Sequence, residues 1–207
     1  MKKTLWYFIL WLLLIVTAIF ISANMPQEKT LGSSVRLIYF HGAWVWTGIL
    51  LFTLAGTTGL AALISKREEL FGWTRAAGLA GLIYWLTYLP MSLWVMRASW
   101  GGFYFAEPRW RVPFAFAVVG TLLQIGLWLM DRKMFFAVAN AIFAAALIFG
   151  LATLTSILHP DSPILQSNSP AIKILFLLLF SVSLCGGIAL TAFIRLWLAA
   201  RMKRKTP

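Results

Sequence analysis

TLWYFILWLLLIVTAIFISA, residues 4–23, decides the fold. The stretch carries no charged side chain and is apolar on every helical face, so it offers no polar side to water. Wound as an α-helix at about 1.5 Å per residue, it spans about 30 Å, the hydrocarbon thickness of a bilayer. Five more apolar runs follow at about 36–64, 75–96, 112–130, 134–157 and 171–199. A helix satisfies its own backbone polar groups in lipid, so each run is expected to cross as one helix. The expected fold is therefore all-α, a polytopic integral membrane protein with a bundle of six transmembrane helices. Residues 1–207 form a single membrane domain without an internal repeat.

Composition agrees with this. Of the 207 residues 61% are hydrophobic and 12% charged, and the mean hydropathy is +0.84. A soluble domain of this length needs more polar surface. A net charge of +12 is the kind of value that draws nucleic acid. Here, however, the basic residues stand at the ends of apolar runs, where they orient helices, and no nucleic-acid partner is expected. The single cysteine, Cys185, excludes an internal disulfide, a Cys-x-x-Cys pair and a covalent haem-attachment motif.

Orientation follows from Lys and Arg. With both termini cytoplasmic, twelve basic residues, from Lys2 and Lys3 to the RMKRK tail, lie inside. Six lie outside: Lys29, Arg36, Arg97, Arg109, Arg111 and Lys173. The first run could also be a cleaved signal peptide ending near Ala23, but its apolar stretch is long for one, so a retained helix is expected. Spacings such as Ala55 to Gly59 and Ala77 to Gly81 suit helix packing of any kind. Pro90 is expected to bend the third helix near its outer end.

Between the third and fourth runs stands ASWGGFYFAEPRWR, residues 98–111, with five aromatics, two glycines, one acid and two arginines. Aromatic residues collect at every membrane interface, which accounts for scattered rings such as Trp6 and Trp11. It accounts less well for glycines, an acid and arginines set among the rings. The chain's two histidines, His41 and His159, belong to this same outer side. His41 lies about five residues inside the second run, about 8 Å along its axis. His159 is expected to close the fifth. A lone histidine in a membrane helix often only bridges helices, yet ionisable groups at that depth also mark sites. A closed zinc site would need acids as further ligands. A porphyrin iron, with four equatorial nitrogens, needs only two axial imidazoles. Trp100, Phe103, Tyr104, Phe105 and Trp110 offer faces for a flat apolar disc, and Arg97, Arg109 and Arg111 offer guanidiniums for propionates.

Trp100-Gly101-Gly102-Phe103-Tyr104-Phe105-Ala106-Glu107-Pro108-Arg109 resembles WGxWWxWDxR, the tryptophan-rich "WWD" segment of the haem-handling membrane proteins of cytochrome c maturation. Trp100, Gly101 and Arg109 match outright. Phe103 and Tyr104 stand at the paired tryptophans, Glu107 at the aspartate, and Ala106 where the family has a third tryptophan. Tyr39-Phe40-His41, with Trp46 five residues on, is similar to the family's Tyr-x-His-x-x-x-x-Trp, and His159 precedes a polar loop as the second family histidine does. The order and length resemble the CcmC branch of the WWD-domain group that includes CcmF and CcsA.

The resemblance implies a protein of the bacterial inner membrane. It would hold haem b as transient cargo at the extracytoplasmic face and present it to a CcmE-like haem chaperone. CcmA-like and CcmB-like ATP-binding cassette subunits and a CcmD-like protein would be its partners in a haem export complex. His41 and His159 would be the axial ligands, and Trp100, Phe103, Tyr104, Glu107, Arg109 and Trp46 the platform. Arg97 and Arg111 would be further propionate contacts. No general acid–base pair, nucleophile or phosphate loop is legible, so no catalysis is expected. The alternatives are a cytochrome b-like redox anchor exchanging electrons with quinone, and a permease or assembly subunit without haem.

Overall fold

The computed structural model describes residues 2–27, 32–155, 157–158, 164 and 166–203. It contains α1 (Lys2–Ala23), α2 (Val35–Ser65), α3 (Glu68–Trp100), α4 (Pro108–Met130), α5 (Lys133–Ala152) and α6 (Pro170–Lys203). All six are long and apolar enough to cross a membrane, so the chain reads as a multi-pass membrane protein.

Several helix boundaries differ from the sequence reading. α3 begins at Glu68, not near 75, so most of SKREELFGWT is helix. Lys66 ends α2 in the left-handed region (φ 58°), its N–H bonded to the Ala62 carbonyl, and Arg67 is extended. Glu68 and Glu69 then sit in the first turn of α3, facing the positive end of its dipole. At its other end α3 runs through Pro90 to Trp100, so the segment expected as a loop over 97–111 is irregular only from Gly101 to Glu107. α5 stops at Ala152, short of 157.

α2 lies at the centre, along α3 and beside α5 and α6, and α1 docks chiefly on α6. Its stripe of Trp44, Gly48, Leu51, Phe52, Ala55, Gly59 and Ala62 repeats every three or four residues and is buried. The small-residue spacings fall at these contacts. A Cβ on Gly59 would stand 2.6 Å from the Ala137 carbonyl oxygen, and one on Gly81 would meet the Phe52 ring at 3.0 Å. Trp85, Tyr84, Phe52, Leu51, Phe143 and Leu147 fill the main core.

Deep among α2–α5 lies a polar chain. Gln124 Nε2 donates to Asn140 Oδ1 (2.8 Å), Asn140 Nδ2 donates to the Thr74 carbonyl (3.1 Å), and Thr74 Oγ1 donates to the Ala55 carbonyl (2.6 Å). Such bonds tie helices where no water competes. Successive helices run in opposite directions. One end therefore gathers the 23–35 connection, the 101–107 connection and the stretch after α5. The opposite end carries the ion pairs Arg75–Asp131 (2.7 Å) and Lys133–Glu68.

Candidate functional site

The first end assembles most of the residues singled out by sequence. His41 lies on the side of α2 that faces α3. Its ring is 5.6 Å from that of Tyr88, at 54°. Tyr88 packs edge-on against Trp85 (4.8 Å), and Trp85 Nε1 donates to the Pro113 carbonyl at 3.0 Å. α2, α3 and α4 thus fix the environment of one imidazole. On the next position, a Cβ at Gly42 would touch the Phe176 ring at 3.5 Å and Ile164 at 3.8 Å, so α6 and residue 164 close in from the other side. Tyr88 is 3% exposed, and its hydroxyl has no hydrogen-bond partner among the described residues.

The 98–111 stretch is a helix end, a short connection and a helix start. Gly101 caps α3 with φ 71°, its N–H bonded to the Arg97 carbonyl at 3.1 Å. A side chain would be strained in that conformation. Tyr104 folds back so that its hydroxyl donates to the Trp100 carbonyl (3.2 Å), with the two rings edge to face at 6.0 Å. Phe103 and Phe105 stack at 6.2 Å, Phe105 meets Trp110 at 5.0 Å, and Trp110 stacks on Phe114 at 5.1 Å. Phe103, Tyr104 and Phe105 are exposed, forming a shelf of open ring faces. Arg97 and Arg111 are exposed at its edges, and Arg109 is half-buried.

Glu107 has a different task from the ring residues. It is 2% exposed and stands at the N-cap of α4, with its carbonyl accepting from the Trp110 and Arg111 amides. Its carboxylate reaches across to the stretch after α5. Oε2 accepts from Leu158 N at 2.8 Å, and both oxygens lie 3.3 Å from Ile157 N. These bonds keep residues 157–158 from continuing the helix of α5. In a continued helix those amides would bond to the carbonyls four residues back, but here they bond to Glu107. The shelf and the residues leading to position 159 are thereby fastened together.

His159 itself lies outside the described residues. Trp46 stands on another face of α2. Five residues turn a helix by about 500°, leaving it about 140° round from His41, and it is 51% exposed. His41, Trp100, Phe103, Tyr104, Glu107 and Arg109 do share one end of the bundle. Tyr88 and the Ile157 and Leu158 amides were not singled out in the sequence. Tyr88 was legible as part of the stripe Gly81, Tyr84, Trp85, Tyr88 on α3; the amides carry no side-chain signal. Among the described residues no three His, Cys, Asp or Glu side chains converge as a metal site.

The chain matches no protein-family model, and no curated protein sequence matches it.

Proposed function

We propose that this protein receives haem b at the extracytoplasmic face of a bacterial inner membrane, with both termini cytoplasmic, and presents it to a CcmE-like haem chaperone. The observation that carries the reading is the Glu107 carboxylate, bonded to the amides of Ile157 and Leu158. It joins the aromatic shelf to the residue next to His159, at the end of the bundle where His41 lies against Tyr88. In this reading His41 and His159 supply the axial imidazoles. Trp100, Phe103 and Tyr104 stack on the macrocycle, and Arg97, Arg109 and Arg111 meet the propionates. The exposed shelf leaves one side of the cargo open to a soluble acceptor. The chain performs no catalysis. CcmA-like, CcmB-like and CcmD-like subunits supply energy and assembly.

Three features of the site support a flat apolar cargo with a polar edge: open ring faces, guanidiniums beside them, and a half-buried imidazole against the Tyr88 ring. The test is the visible spectrum of the detergent-purified protein after titration with haem. His41→Ala and His159→Ala are each expected to abolish the low-spin Soret band. No haem uptake by the wild type, or an unchanged band in both variants, overturns the proposal. Reversible reduction by a quinol analogue without transfer to a chaperone assigns the site to a redox anchor instead.

A further inference from the structure

A second candidate site lies at the same end, between the last turns of α1 and the first turns of α2. There the helices enclose a lateral groove of about 400 Å³, lined by Ile19, Ser22, Ala23, Ser33, Arg36, Leu37 and Phe40. Its volume falls within the range of small-molecule sites. The groove is sharply divided by chemistry. Ile19, Leu37 and Phe40 make an apolar floor, and Arg36 and Ser33 stand at the mouth.

Arg36 is held in place. Its Nε donates to the Met25 carbonyl at 3.0 Å, and its own carbonyl accepts from the buried Ser22 hydroxyl at 2.6 Å. Met25, which carries the accepting carbonyl, is 1% exposed. These bonds engage Nε and leave the two terminal nitrogens, and among the described residues no acid pairs with them. A fixed, half-buried guanidinium over an apolar floor recognises an anion that carries a hydrocarbon tail. At the ends of two membrane-length helices, that chemistry is supplied by the bilayer itself.

We infer that the α1–α2 groove binds one anionic phospholipid, with its phosphodiester on Arg36 and Ser33 and the start of an acyl chain along Ile19, Leu37 and Phe40. The inference does not depend on haem. It adds a lipid-mediated contact between α1 and α2 beside the direct bonds of Arg36 with Ser22 and Met25. Phe40 also packs on Trp44, which stacks on Tyr84, so an occupied groove borders the core beside His41.

The experiment is native mass spectrometry of the detergent-purified, haem-free protein with added dioleoylphosphatidylglycerol or dioleoylphosphatidylcholine. One phosphatidylglycerol is expected to be retained, and Arg36→Gln to lower its retention about fivefold, as for one basic group at a membrane surface. Arg36→Lys keeps the charge and is expected to stay within about twofold of wild type, as is Lys173→Gln, which removes an exposed charge at the start of α6. Leu37→Trp fills the floor without touching the cation and is expected to lose the lipid while keeping its thermal unfolding temperature in lipid-free detergent. It carries the test if Arg36→Gln fails to fold. Equal retention of the two lipids, wild-type retention in both Arg36→Gln and Leu37→Trp, or mole-for-mole displacement of the lipid by haemin overturns the inference.

Discussion

Replacing Glu107 by alanine removes the fastening between the aromatic connection and the stretch after α5, and its size can be worked from two donors. Leu158 N lies 2.8 Å from Oε2, a short bond to an ionised acceptor, which contributes about 1.5–3 kcal/mol. Ile157 N is shared between the two oxygens at 3.3 Å and contributes about 0.5–1.5 kcal/mol. Relaxation around the shortened side chain recovers some of the loss, so a net of about 2–4 kcal/mol remains. That corresponds to a shift of about 30- to 1000-fold between docked and released forms. Hydrogen exchange read by mass spectrometry on peptides covering 157–158 is expected to accelerate by that factor in Glu107→Ala. Peptides from the middle of α2 and α3 should hold their rates. Glu107→Gln, which keeps one acceptor oxygen but no charge, should fall between. Unchanged exchange at 157–158 in Glu107→Ala would refute the assignment, because no other acceptor for these amides is recorded among the described residues.

Asn140→Ala breaks every bond that Asn140 makes between α3, α4 and α5 and should lower stability by about 2 kcal/mol, against about 1 kcal/mol for Gln124→Leu, which loses one; unfolding in mixed micelles reads the order. Gly59→Ala drives a methyl to 2.6 Å from the Ala137 carbonyl and should cost about 1–3 kcal/mol in the same assay. Asp131→Asn removes the ion pair with Arg75 while keeping a residue that tolerates φ 45°, and should change stability by less than about 1 kcal/mol, since the Asp131 side chain is 67% exposed. A loss above 2 kcal/mol would show that the pair is coupled to the Arg75 contact on the Phe136 ring.

Helix number was legible because each run is apolar over a membrane's thickness, a signal that tertiary packing does not alter. Helix ends were less so, for different reasons. The start of α3 is charged, so SKREELFGWT reads as a connection. Yet helix beyond the apolar run is stable when Glu68 and Glu69 face its dipole. At the end of α5 the opposite error arises. LTSIL continues the apolar pattern, but the amides of 157 and 158 are taken by an acid fifty residues away. No local pattern carries that information. The site was legible in its side chains: His41 and the 98–111 rings stand out by type. The part played by Glu107 and the ring of Tyr88 behind His41 depend on which helices become neighbours.

That α1 rests chiefly on α6 has a consequence for how the chain is made. α2 and α3 emerge from the ribosome separated by two residues and can pair at once, with negligible loop closure. α1 is synthesised well before α6, and until α6 arrives chiefly its bonds to the start of α2, at Ser22 and Met25, hold it. A truncation stalled before residue 170 would therefore leave α1 without its main partner, and any quality-control protease that recognises poorly packed spans would meet it there.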